Sequence, residues 1–326
     1  MTAVRTVYID RKGASLTIQN GRLRIECRGS QPSTSLPLSL VERVVIGASV
    51  EFSSTLLTNL AQSGITTVFV NGRHSAAAVS YGLLHNDARR RLLQYRVVTD
   101  PDHCLRFSKA LVSLKIRGQR STLLKALRIR PALRLPLKRG AQTLQAILEG
   151  LKRCNGIDSL MGCEGAAASC YFDAYGRLFP DSLGFKGRNR RPPRDPVNAI
   201  LSLTYTILHA DATRELVAVG FDPMLGVYHK PAYGRPSLSC DLAEIFRPSV
   251  DLWVWRRFAD KTLRPQHFRR SGAACFLGKA GRAHFYKALE DQRSVWCKAM
   301  RRVSARWLSA LNATVLDEPT PQRSSE

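Results

Sequence analysis

The sequence lacks most of the signatures by which common enzymes are read. It contains no Gly-x-x-x-x-Gly-Lys-Ser/Thr phosphate loop, no dinucleotide fingerprint after a strand and no Gly-x-Ser-x-Gly elbow. ATP, nicotinamide and acyl-hydrolase chemistry therefore lack support. The eight cysteines, at 27, 104, 154, 163, 170, 240, 275 and 297, include no Cys-x-x-Cys pair. That argues against a zinc ribbon or redox motif and for reduced packing residues in a reducing compartment. No apolar run approaches the roughly 20 residues of a membrane helix. The opening Met1-Thr2-Ala3-Val4-Arg5 has no apolar signal core, so the expectation is a soluble, cytoplasmic protein without membrane partners.

Acidic side chains are also scarce. Among 326 residues, 25 Asp+Glu face 50 Lys+Arg, a formal net charge of +25. Such an excess attracts polyanions, nucleic acid first among them. Hydrophobic residues make up 44% of the chain, which excludes wholesale disorder. The length suggests about two domains.

The first part reads as strands. Thr6–Ile9, Ser15–Ile18, Leu23–Glu26 and Val41–Ile46 are short β-rich runs, and Asn20-Gly21 is a hairpin signal. Ser53–Ser63 has helical spacing, with a cap at Ser53 or Ser54 and a stop at Gly64. Ile65–Val70 reads as a buried strand closed by Asn71-Gly72. From Ala88 helical periodicity takes over, interrupted by loops at 180–197 and 222–237 and by Pro131 and Pro136. The expected fold class is α+β. A small N-terminal β-domain (1–86, a β-sandwich or β-roll with one helix) precedes a larger all-α catalytic domain (87–314) and a frayed tail (315–326). Charge follows the division: residues 1–85 carry net +4, and 88–153 alone carry 17 basic against 3 acidic side chains.

Three segments carry chemistry. Glu164 sits among very small neighbours in Met161–Ala168, where another backbone or a ligand can come close. The bland reading is an exposed helical Glu. His229 begins a Gly/Pro-rich basic loop; alone, it reads more readily as a structural hydrogen-bonder. Asp241 and Glu244 are three apart and share a helix face, opposite the buried side of Leu242, Ile245 and Phe246. Two nearby carboxylates repel unless a cation or proton lies between them, although acids in a first helical turn also favour the dipole. Taken together, an imidazole and two or three carboxylates form a mixed N/O set suited to Mg²⁺ or Mn²⁺. In a strongly basic protein the natural work of such an ion is phosphodiester chemistry.

GFDPMLGVYHKPAYGRPSLSCDLAEIFRPSVD (220–251), MGCEGAAASCYFDAY (161–175), RPPRDPVNAILSLTYTIL (191–208), LSLVERVVIGASVEFSSTLLTNLAQSGITTVFVNGR (38–73) and GKAGRAHFYKALE (278–290) occur in that form here. These segments resemble the CRISPR adaptation integrases, the Cas-one family. The resemblance implies a β-domain used for dimerisation and a helical catalytic domain. It implies metal ligands at Glu164, His229 and Glu244, an additional catalytic acid at Asp241, and a basic residue near the scissile phosphate at Arg247. The implied activity is a metal-dependent DNA endonuclease and strand transferase that joins prespacer 3′-OH ends to the CRISPR repeat. Mg²⁺ or Mn²⁺ would be the cofactor. Prespacer duplex DNA, the CRISPR leader-repeat, a second copy of the chain and a Cas-two dimer would be the partners. Expected DNA contacts are Lys186, Arg188, Arg190, Arg191 and Arg194 in a basic arm, with Lys230, Arg235 and Arg247 beside the site. The alternatives are a transposon-borne integrase of the same family and a DNA-binding scaffold with a non-catalytic site.

Overall fold

The computed structural model describes residues 5–27, 30–70, 78–80, 87–189 and 192–316. The expected Asn71-Gly72 turn, Arg190, Arg191 and the chain beyond Leu316 lie outside them. The N-terminal region holds two four-stranded sheets. One runs in the order β1 (Arg5–Ile9), β5 (Val41–Ile46), β7 (Thr66–Phe69), β8 (Ala78–Ser80), with β1, β5 and β7 parallel. The other is β4 (Ser30–Pro37), β3 (Arg22–Cys27), β2 (Ala14–Gln19), β6 (Val50–Phe52). The β2–β3 turn is Asn20-Gly21, both at positive φ, as the sequence pair requires. Helix α1 (Ser54–Gln62) is capped by Ser53, whose side chain accepts from Leu56 N at 3.3 Å.

Strand β5 shows why the first sheet joins the two regions. Its run Val41–Ile46 is buried almost throughout, the pattern of a parallel strand covered on both faces. Val44 and Ile46 enter a core with Leu16, Leu23 and Leu60. Val45 instead joins Val68 and Val70 in the core of the helical body.

The remainder is helical: α2 (Ala88–Thr99), α3 (Pro101–Ile129), α4 (Arg134–Gly150), α5 (Ile157–Gly176), α6 (Pro196–Val219), α7 (Ser237–Ala259) and α8 (Lys279–Leu316). A two-stranded hairpin, β9 (Phe268–Ser271) with β10 (Ala274–Leu277), interrupts it. The architecture is thus α+β, with the change of element type falling between Ser80 and Ala88. Pro131 does end α3, whereas Pro136 is accommodated in the first turn of α4, where a missing N–H is tolerated. Helices α6 and α7 are buried around most of their circumference, and α7 packs on both α3 and α6. The regions are joined by charge as well as by apolar contact. Asp211 on α6 is paired with Arg43 of β5 and with Arg293 of α8, the latter through Nε at 2.8 Å and Nη2 at 3.0 Å.

Candidate active site

The loop between α6 and α7 is built to present His229. Gly220, at φ 97°, ends α6 in the left-handed conformation. Gln94 on α2 then holds the loop from below: its Nε2 donates to Asp222 O (2.9 Å) and Leu225 O (3.1 Å), and its Oε1 accepts from Asp222 N (2.8 Å). At Gly226 a Cβ would lie 2.4 Å from the His229 carbonyl oxygen, so no side chain fits there.

Asp241 organises the rest. Its wholly buried carboxylate accepts from Val227 N (2.7 Å) and Tyr228 N (3.1 Å) through Oδ2, and from His229 N (3.0 Å) through Oδ1. The same Oδ1 lies 2.7 Å from the His229 ring Nδ1. A carboxylate already accepting from three backbone amides assigns a ring proton to Nδ1, so that in the neutral imidazole Nε2 is the acceptor. Nε2 has no hydrogen-bond partner among the described residues. Asp241 therefore stands behind the imidazole, its lone pairs taken by the loop and the ring.

The two glutamates meet through a residue that motif reading does not reveal. Lys115 on α3, 9% exposed, places its ammonium against Glu164 Oε1 and 2.6 Å from Glu244 Oε2. Arg247 Nη1 sits 2.6 Å from the other oxygen of Glu244. Burial by itself would raise the Glu244 carboxyl, but Arg247 and then Lys115 outweigh it, with a further contribution from His229, and bring it down to about 2. Glu244 Oε2 is buried and close to the ammonium without hydrogen-bond alignment. The Gly118–Pro248 contact, one turn further along α3, sets the approach: a Cβ on Gly118 would lie 3.0 Å from Pro248 Cγ. Pro248 also removes the amide that would bond the Glu244 carbonyl in the helix ladder. Around Glu164 the small residues leave open space, since a Cβ on Gly162 or Gly165 would meet nothing within 4 Å.

Beneath Arg247 lies a buried phenol–carboxylate cluster. The Arg247 guanidinium lies 4.8 Å from the Tyr205 ring centroid, and that of Arg188 lies 5.4 Å from it. Tyr205 donates to Asp251, Tyr171 donates to the same carboxylate at 2.9 Å, and Tyr175 donates to the Asp251 carbonyl at 2.7 Å. Burial raises the Asp251 carboxyl to about 6, against the lowering effect of the two phenols and then of Arg188 and Arg247.

The remaining basic residues divide by direction. Lys186, Arg194 and Lys230 are exposed. Arg235 is turned back onto the Lys230 carbonyl and Ser237 Oγ. Arg188 points inward, to Asn198 Oδ1 (2.7 Å) and Ser202 Oγ (3.0 Å). Asn198 also donates to Gly187 O at 2.8 Å and accepts from Asn189 N at 3.0 Å. The segment around Arg188 is thereby pinned to α6.

The donor types fit a hard divalent cation: two carboxylates facing one positive charge, and an imidazole with a bare Nε2. Among the described residues, however, no three His, Cys, Asp or Glu side chains are gathered closely enough to hold an ion. Lys115 stands between the two glutamates. The acids on α7 are themselves buried, Asp241 at 0% and Glu244 at 4% exposure, so they do not form the solvent-facing side opposite Leu242 that the spacing suggests. Tyr205, Asp251 and Lys115 were not legible as site residues. The signal for Lys115 is that it is the one charged residue on the buried face of α3, among Leu111, Val112, Ile116, Leu123 and the uncharged polar Ser108, Gln119 and Thr122.

Fold and site together define a β region joined to a helical body that carries acids, an imidazole and buried cations at its centre. The family model described as CRISPR associated protein Cas1 matches residues 7–291, and the chain belongs to that family. It is 39% identical over 298 residues to CRISPR-associated endonuclease Cas1 1 of Thermodesulfovibrio yellowstonii, covering 89% of this chain and 93% of that protein. The fold is similar to that of a casposase bound to integration product (TM-score 0.82, 18% identity, covering 94% and 91%). It is equally similar to a chain of a Cas6-RT-Cas1–Cas2 complex (TM-score 0.82, 22% identity, covering 96% of this chain and 35% of that one).

Proposed function

We propose that this protein is a CRISPR adaptation integrase, a metal-dependent DNA endonuclease and strand transferase. The observation that carries the reading is the pair Glu164 and Glu244 converging on one cationic charge, in a loop-and-helix frame that also fixes the His229 ring. Glu164, Glu244 and His229 Nε2 would hold Mg²⁺ or Mn²⁺. When bound, that ion acidifies an attacking hydroxyl and neutralises charge on the phosphate. The 3′-OH oxygen of an incoming strand forms a bond to a repeat phosphorus, and the phosphorus–oxygen bond to the leaving 3′-oxygen breaks. With water as nucleophile the same site nicks DNA.

The chain's own groups prepare this. Asp241 holds the His229 proton on Nδ1 and so keeps the Nε2 lone pair available. Arg247 keeps Glu244 ionised and places a guanidinium beside the position of a scissile phosphate. Lys230, Lys186 and Arg194 supply exposed charge for flanking phosphates, while Arg188 and Arg235 brace the loops that carry them. The partners are a prespacer duplex, the leader-repeat, a second copy of the chain docked through the β region, and a Cas2 dimer. No helix among the described residues is long and apolar enough to cross a membrane. The likeness to a casposase favours one second reading, a transposon-borne integrase; preference for mobile-element ends over short duplexes would select it.

The test is strand transfer into a supercoiled repeat plasmid with Cas2 and Mn²⁺. Glu164→Ala, His229→Ala and Glu244→Ala should each reduce it by at least ~10²-fold. Full activity in all three removes the site assignment.

A further inference from the structure

We infer that Lys115 is a resident counter-ion of the site: its ammonium takes the place of the divalent cation between Glu164 and Glu244 and must withdraw for that cation to bind. The inference rests on the metal-site reading above and adds a residue that reading does not include. Three observations carry it. The ammonium touches one oxygen of each glutamate, on two different helices, α5 and α7. Lys115 is almost fully buried on α3 and is the one charged side chain on a buried stripe that also holds Leu111, Val112, Ile116 and the uncharged Ser108, Gln119 and Thr122, a position where a lysine is costly unless its charge is used. The match to Glu244 is also incomplete, because Oε2 lies against the ammonium without hydrogen-bond geometry.

A lysine suits this role better than an arginine. It is a compact point charge on a flexible stem, with no fork to lock onto a carboxylate. In the metal-free protein it keeps two acids from repelling each other, so the donors stay in place. A dication binds only molecules in which Lys115 has moved aside, and its apparent affinity falls by the fraction of such molecules. Lys115 is thus a positioning residue whose removal improves metal binding while weakening the empty site.

The experiment uses the full-length protein stripped with EDTA and Mn²⁺ alone, without DNA. Bound Mn²⁺ is read from loss of the aquo-Mn²⁺ electron paramagnetic resonance signal, and unfolding is followed in EDTA. Lys115→Met should bind Mn²⁺ about tenfold more tightly than wild type and melt at lower temperature in EDTA, with the difference reduced by Mn²⁺. Lys115→Arg should restore the EDTA melting temperature. If Lys115→Met does not fold, Lys115→Gln serves in its place. Equal or weaker Mn²⁺ binding in a folded neutral variant overturns the inference and leaves the metal site standing. No Mn²⁺ binding in wild type or variants overturns both, and that result is distinct from the first.

Discussion

Two buried carboxylates, Asp211 and Glu244, are each held by two cations, yet they are finished differently. Asp211 accepts both nitrogens of the Arg293 fork and is paired with Arg43, all at 4% side-chain exposure or less. Glu244 has a guanidinium on one oxygen and only an unaligned ammonium on the other, and its Arg247 partner is 27% exposed. The Arg293 fork is always charged and fixed on Asp211, whereas Arg43, like Lys115, lies against its carboxylate without hydrogen-bond alignment, so it is the Arg293 arm that makes the first cluster a joint. The second is held by groups that can leave. The contrast separates an ion cluster closed by a bidentate fork from one without such a fork.

The largest effect should come from Asp211→Asn. It removes the carboxylate paired with buried Arg43 and leaves buried Arg293 only the more distant Glu290, 4.0 Å away, and should cost about 3–5 kcal/mol in chemical denaturation. Loss below about 1 kcal/mol would break the comparison.

Asp251 sharpens it from a third side, since phenols and not guanidinium forks hold its carboxylate. Its folded value of about 6 lies above the reference of 3.8. The folded state therefore binds the proton more tightly than the unfolded chain, and this group's contribution is full below 3.8 and lost as pH rises through about 6. Asp251→Asn mimics the protonated form, so its stability should improve relative to wild type by up to about 3 kcal/mol between pH 4 and 7. Parallel stability–pH curves would contradict the assignment.

Glu244→Gln should cost less than Asp211→Asn, about 2–3 kcal/mol, because Arg247 reaches solvent and Lys115 retains Glu164. Glu244, lowered to about 2 from 4.5, stabilises the fold above its unfolded value and loses that contribution as pH falls toward 2. The cost of Glu244→Gln should accordingly vanish in acid. A cost as large as that of Asp211→Asn would make the two clusters equivalent.

Much of the fold was legible. The Asn20-Gly21 turn, the Ser53 cap, the α1 stop at Gly64 and the loops bounding α6 and α7 all carry local signals that tertiary structure did not override. The β9–β10 hairpin escaped notice because its strands are four residues each and only Ser271-Gly272 marks the turn. For the site, motif spacing singled out Glu164, His229, Asp241 and Glu244. It did not reveal what lies between or behind them. Helix α7 is buried around most of its surface, so no amphipathic period distinguishes an acid in the site from one supporting it. Lys115 comes from a helix 49 residues before Glu164, and sequence periodicity does not report pairings of that range. The basic arm was read from charge alone, which does not reveal that Arg188 turns inward.

The Gln94 clasp on the His229 loop has a consequence for assembly. Asn198 gathers its partners from no more than 11 residues away, a short closure with little entropy to lose. Gln94 reaches across 128 residues to Asp222 and 131 to Leu225. Distant closures lose more chain entropy before any contact compensates them. The frame around Arg188 and the Asp241 contacts to the His229 loop, which span 12 to 14 residues, can therefore close within their own stretch of chain, whereas the Gln94 clasp on Asp222 and Leu225 forms only when α2 meets the end of α6.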